Sequence, residues 1–158
     1  MLVLSIRPRF AGMILRGEKT VELRRRAPRC STDFWIALYS TYPVRAMIGV
    51  VRASGILVAP PDELWQAVEG GCGLGRDEYR SYYEGADRAV GILLTDPTPF
   101  MNPVPLDQLR SSWPEFRPPQ SFAYLNPERV HDVWRHAGMC YIRALPTEAK
   151  VPKLVIEV

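Results

Sequence analysis

Gly17-Glu18-Lys19-Thr20-Val21-Glu22-Leu23-Arg24-Arg25-Arg26 is the stretch whose reading decides the fold. From Thr20 to Arg26 the residues alternate, with Val21 and Leu23 on one side and Glu22, Arg24 and Arg26 on the other, as in a strand with one covered face. Gly17 just before it suits the end of a helix, because a residue without Cβ adopts the left-handed conformation that stops one. Upstream, Phe10, Met13 and Ile14 repeat at i, i+3 and i+4, and Pro8 fits a first helical position. Leu2 to Ile6 is short and apolar. The opening therefore predicts strand, short helix and returning strand, which brings Ser5 and Arg7 close to Lys19, Glu22 and Arg24.

Outward from that unit the chain alternates strand and helix without regular βαβ repeats. Phe34 to Ser40 and Met47 to Val58 are strand candidates, the second long enough to need a bend near Ser54-Gly55. Pro60-Pro61-Asp62 opens a helix with Leu64, Trp65 and Val68 inward. Asp77 to Glu84 is a second helix, whose Tyr79, Tyr82 and Tyr83 form an aromatic stripe read as core cover. Arg88 to Thr95 returns to strand. Pro97 to Pro119 is rich in proline with Phe100, Leu106, Leu109, Trp113 and Phe116 interspersed, and reads as an ordered but irregular crossing loop. Asn126-Pro127 is an N-cap followed by a first-turn proline, and Val130, Val133, Trp134 and Ala137 make one stripe before Gly138. Met139 to Leu145 and Leu154 to Val158 are the last strand candidates. The fold class expected is α+β, a small curved or barrel-like sheet with peripheral helices.

Charge is distributed unevenly. The chain of 158 residues carries a formal charge of +3, but eight basic residues and only Glu18 and Glu22 lie between Arg7 and Arg29, so that segment alone is +6. The remainder is −3, a mildly acidic body with a basic patch, which points to an anionic partner. With 47% hydrophobic residues, the length suits one packed domain. No apolar run approaches the roughly 18 residues of a membrane span, and Met1 to Arg7 is too short for a signal peptide. Cys30, Cys72 and Cys140 are far apart, without a CxxC pair, which argues against a disulfide framework or a zinc site and for a reducing, cytoplasmic setting. His131 and His136 do not share a helical face, so no metal is expected. No cofactor is implied either. Gly70-Gly71-Cys72-Gly73-Leu74-Gly75 does not follow a strand, so it reads as a flexible connector instead of a phosphate loop.

On the predicted β-strand Glu22, Arg24 and Arg26 share a face. A carboxylate there holds the guanidiniums in place while their other donors face outward, toward phosphate or a base edge. The plainer reading is an ion pair across a barrel rim.

The Leu4-Ser5-Ile6-Arg7-Pro8 opening, the Gly17 to Arg26 block with its GxKxxExR spacing, and Arg117-Pro118-Pro119-Gln120-Ser121-Phe122 together resemble the ASCH domain family. The pattern is close to a PUA-like group labelled predicted transcriptional regulators, although no helix-turn-helix is evident here. The resemblance runs from about Leu2 to Leu125, and residues 126–158 are read as a helix-and-strand extension packed on the same domain. It implies a PUA-like β-barrel whose cleft is lined by Lys19, Glu22 and Arg24, with Ser5, Arg7, Gln120 and Ser121 nearby. It also implies a nucleic-acid ligand, RNA before DNA, or a modified nucleoside. Glu22 would accept from an exocyclic amine, Arg24 would contact a carbonyl or phosphate, and Tyr39 or Tyr124 would stack on the base. A branch of the family hydrolyses acetylated cytidine with lysine, threonine and glutamate. This chain has Glu22 where that branch has threonine, so a hydrolase using Lys19 and Glu22 is the second reading. A third is a protein-interaction module using the basic face.

Overall fold

The computed structural model describes residues 1–30, 33–136 and 156–157. Seven strands form one mixed sheet in the order β2-β5-β4-β3-β1-β6, with β7 on β4 beside that path. The strands are β1 (Leu2–Ile6), β2 (Val21–Arg24), β3 (Phe34–Ser40), β4 (Ala46–Ala59), β5 (Ala89–Pro105), β6 (Phe122–Tyr124) and β7 (Ile156–Glu157). Five helices cover them: α1 (Pro8–Leu15), α2 (Pro61–Val68), α3 (Arg76–Tyr83), α4 (Leu106–Ser112) and α5 (Pro127–His136). β1 runs parallel to β3 and β7 parallel to β4; β6 is antiparallel to β1, β4 to β3 and β5, and β2 to β5. The long β4 and β5 shift register three times, one shift falling between Ala53 and Gly55, where the bend was expected. Extra residues in a ladder increase twist, and these bend the sheet into a half-barrel.

Strand alternation divides the apolar side chains among three cores. Leu2, Leu4 and Ile6 of β1 join Ile36, Leu38, Val51, Ile92 and Leu94 in the concave core, which α1 seals with Ala11 and Ile14. Val3, Ala37, Tyr39, Met47 and Val50 point the other way, under Leu106 and Leu109 of α4 and Val133 and Trp134 of α5. Val21 and Leu23 of β2 meet Leu64, Trp65 and Val68 of α2 and Tyr79 and Tyr83 of α3. Full burial of such side chains is worth about 1.5–3 kcal/mol each, so every helix is held by its apolar stripe.

One expectation is corrected. Most of Pro97 to Pro119 is regular: β5 continues to Pro105, α4 follows at once to Ser112, and only residues 113–119 form the irregular crossing. β2 pairs β5 only from Val90 to Leu93. Beyond that point one edge of β5 has no strand beside it among the described residues, and there a missing proline N–H breaks no ladder. The Asn126 side chain caps α5, accepting from the Arg129 N–H at 2.9 Å. The expectations for Ala137, Gly138, Met139 to Leu145 and Cys140 lie outside the described residues, and only Ile156–Glu157 of the last strand candidate is described, parallel to β4.

The α2–α3 cover carries a pH dependence. Trp65, Tyr79 and Tyr83 stack in series with centroid spacings of 4.8 Å. The Tyr79 hydroxyl donates to the Pro61 carbonyl at 2.8 Å. Burial first, then the neighbouring Cys72 and Asp62, pushes the Tyr79 phenol up to about 12, and burial raises Tyr83 as well. An unfolded tyrosine titrates near 10. The folded state therefore binds the proton more tightly, and this contribution is complete below about pH 10 and is lost as pH rises through about 12. We expect alkaline unfolding, followed by far-UV circular dichroism, to begin above pH 10 and to move to higher pH in Tyr79→Phe. An identical alkaline midpoint in the variant would show that Tyr79 does not drive it.

Candidate nucleic-acid cleft

α1 ends where glycine allows it to. Gly17 has φ of 75°, and the Glu18 and Lys19 N–H groups both return to the Met13 carbonyl. That wrap turns Lys19 back beneath α1. The next residues dock on the glycine-rich segment, with the Thr20 and Val21 N–H groups donating to the Gly71 carbonyl at 2.9 and 3.0 Å. A side chain at Gly71 would collide with Thr20, which explains glycine there. The segment is thus a fitted cradle, contrary to the expectation of a loose connector.

Lys19 is 3% exposed, and its ammonium is surrounded. Nζ donates to the Val21 carbonyl at 2.7 Å and to the Cys72 carbonyl, and lies 3.3 Å from Oε2 of Glu22. Two of the ammonium's three donors thus have carbonyl acceptors, and the Glu22 carboxylate pairs its charge. The Phe10 ring covers it, 5.4 Å from Nζ to the centroid. Glu22, also buried, is ion-paired through its other oxygen with Nη2 of Arg24 at 2.9 Å. The same Nη2 reaches the Ser5 carbonyl at 3.2 Å.

That last bond marks the seam of the half-barrel. The Ile6 carbonyl accepts from Thr41 beyond the end of β3. Successive carbonyls of a strand point to opposite edges, so Ser5 offers its own toward the side where β6 stops pairing at Leu4. Arg24 fills that gap from β2. A buried guanidinium and carboxylate therefore join β1 to β2, where the strands themselves do not pair. Nε of Arg24 is buried there without a hydrogen-bond partner among the described residues.

Above this floor opens a cleft of about 430 Å³. Ser5, Ile6, Arg7 and Phe10 form one wall, Lys19, Glu22, Leu23 and Arg24 the floor, and Leu74, Glu78, Ser81 and Tyr82 the facing wall. Tyr82 is 38% exposed, its hydroxyl 3.4 Å from the Leu23 carbonyl and its ring edge-on to Tyr83. Burial raises its phenol above the ordinary tyrosine value, Arg24 and Arg25 lower it, and Glu22 raises it.

The structure brings Ser5, Arg7, Lys19, Glu22 and Arg24 together, and leaves five other expected residues outside. Ser5 contributes its carbonyl; its Oγ is buried without a partner, on the side of β1 shared with its register mate Tyr39. Tyr39 does not reach the cleft: it is 2% exposed and packs on Phe116 on the convex side of the sheet. Arg26 lies exposed beyond the end of β2, and Gln120 and Ser121 are exposed before β6; none of the three lines the cleft. Tyr124 is exposed elsewhere, its hydroxyl accepting from the Arg29 N–H at 2.6 Å.

Sequence reasoning missed Tyr82, Glu78 and Ser81. The signal was present in helical spacing. Tyr79 and Tyr83 share one face at i, i+4, while Glu78, Ser81 and Tyr82 share the next. Among the described residues no group of three His, Cys, Asp or Glu side chains converges as metal ligands, and no helix is long and apolar enough to cross a membrane.

Comparison with known proteins agrees with this fold. An ASCH domain-containing ribonuclease of Zymomonas mobilis subsp. mobilis is 38% identical over 128 residues, spanning 81% of this chain and 86% of that protein. A crystal structure of ASCH from Zymomonas mobilis superposes with a TM-score of 0.81 at 36% identity, covering 85% of this chain and 93% of the other. The N-terminal domain of Staphylothermus marinus McrB, at 14% identity and a TM-score of 0.58 over 85% of this chain and 92% of its own, shares the fold alone. Residues 4–98, which hold the strand–helix–strand opening and the whole ion-paired floor, match the model of the ASCH domain, and the chain belongs to the ASCH domain family.

Proposed function

We propose that this protein binds RNA, seating one nucleotide in the cleft above Glu22 and Arg24 while Arg7, Arg25 and Arg26 follow the backbone. The observation that carries this reading is a polar floor of buried, fixed charges inside an apolar and aromatic cleft, set in the most basic part of the chain. Such a floor recognises a base edge, and a rim of arginines engages phosphates without regard to sequence. RNA is preferred to DNA because the Zymomonas relative is named a ribonuclease. By the same likeness, cleavage of the bound strand is the activity to assay first. The partner would be met in the cytoplasm.

Hydrolysis of an acylated nucleoside through Lys19 is not favoured. A lysine acting as base must be neutral with a free lone pair, whereas Nζ here donates to two buried carbonyls and is ion-paired with Glu22, which favours the charged form.

Engagement of about three phosphates on a single strand gives a slope near −2 in log affinity against log salt. Arg7→Ala should weaken binding to all sequences alike and flatten that slope by about 0.7. Labelled single-stranded RNA titrated at four salt concentrations measures both, and the same samples on a denaturing gel report cleavage. Salt-independent affinity, or none for any RNA, would remove this reading.

A further inference from the structure

We infer that the floor of the cleft selects guanine. This rests on the RNA-binding reading and adds which base the site takes.

The argument follows from the donors and acceptors the floor has left. Lys19 contributes nothing to a ligand, since two carbonyls and the Glu22 carboxylate already surround its ammonium. Arg24 has Nη2 engaged by Ser5 and Glu22 and its Nε buried out of a ligand's reach, which leaves Nη1 as its available donor group. Glu22 receives one cation on each oxygen, Arg24 on Oε1 and Lys19 on Oε2. Each carboxylate oxygen accepts about two hydrogen bonds, so each retains one lone pair. The Ser5 hydroxyl lies on the other side of its strand and does not enter the count. What remains is one donor group, Nη1 of Arg24, beside two adjacent acceptors.

A phosphate is a poor match for that set, because its oxygens only accept and would face the Glu22 carboxylate. A base edge fits better, and the four common bases differ. Guanine presents a carbonyl acceptor followed by two N–H donors, N1–H and the N2 amine. Cytosine presents one donor and two acceptors, uracil one donor between two carbonyls, and adenine one donor and one acceptor. Only guanine satisfies Arg24 and both oxygens of Glu22 together. The two ionised partners make the contacts charge-assisted, the stronger class of hydrogen bond.

The wall above the floor supplies the remaining contact. Tyr82 is half-exposed at the cleft, and its ring is set by the edge-on Tyr83 4.8 Å away. A ring fixed in this way stacks on a base with little further loss of freedom, and a purine gives it the larger surface.

The test changes the ligand, because Glu22 and Arg24 also hold the fold. Five short labelled RNA oligomers of otherwise uridine-free, identical sequence carry guanine, inosine, adenine, cytosine or uracil at one central unpaired position, and each is titrated against the full chain. Guanine is expected to bind tightest. Inosine, which keeps the carbonyl and N1–H but lacks the amine, is expected to lose about tenfold, the weight of one hydrogen bond to a charged group. Adenine, cytosine and uracil should lose more. In parallel, Tyr82→Ala should lower affinity for the guanine oligomer about 5- to 100-fold and Tyr82→Phe should leave it within about twofold, as stacking requires. Equal affinity for all five oligomers, a preference for another base, or inosine equal to guanine overturns the guanine assignment while leaving RNA binding in place. Absence of binding to every oligomer removes both.

Discussion

Glu22→Ala is expected to lower folding stability by about 3–5 kcal/mol, measured as a fall in the urea midpoint with an unchanged slope. The side chain lies 3.3 Å from the Lys19 ammonium and 2.9 Å from the Arg24 guanidinium, and all three are nine-tenths or more buried. Removing the carboxylate leaves two cations in a place that water reaches poorly. That is a larger penalty than the pairs themselves are worth, because desolvation has already been incurred in the fold. Glu22→Gln keeps the shape and an acceptor oxygen but not the charge, and should fall between wild type and alanine. A loss under about 1 kcal/mol for alanine would mean that the cluster is hydrated and contributes as an ordinary surface pair does.

Lys19→Met is the second large effect, and should also cost about 3–5 kcal/mol. Methionine matches the apolar stem beneath Phe10 but leaves the Val21 and Cys72 carbonyls without their donor and Glu22 with one cation instead of two. Because Lys19 ties β2 to the Gly70–Gly75 segment, the damage should spread to α2 and α3, visible as faster amide exchange in both helices. The double variant Lys19→Met, Glu22→Gln decides between a coupled cluster and independent contacts. Coupling predicts a double loss smaller than the sum of the single losses by about 1 kcal/mol or more, whereas additivity within about 0.5 kcal/mol would refute it.

Much of this arrangement could be read directly from residue order. The alternation of Val21, Glu22, Leu23 and Arg24 told correctly which side chains meet the helices and which meet the cleft, because period-two patterning is a direct record of a covered face. Asn126, Pro8 and Gly17 marked their helix ends for equally local reasons. What escaped was decided by distant neighbours. Tyr39 and Tyr82 are the same residue type, and nothing near either says that Phe116 buries one while the cleft leaves the other open. The prolines of β5 looked like breakers because the test for a central strand presumes a neighbour on each edge, and β2 is too short to supply one along its length. The glycines from Gly70 to Gly75 suggested looseness, yet their function depends on a backbone carbonyl meeting a lysine 53 residues earlier in the chain.

Arg24 closes the half-barrel with a guanidinium where another sheet would use a further strand. The same atoms that would greet a ligand therefore act as masonry for the wall they sit in. A descendant that gave up its ligand would still need them to stay folded, so the GxKxxExR signature can outlive the task it once served. Reading that signature in a genome identifies a barrel sewn shut in this way, and the cargo must be learned from the half-open wall opposite, where Glu78, Ser81 and Tyr82 are free to change without loosening the seam.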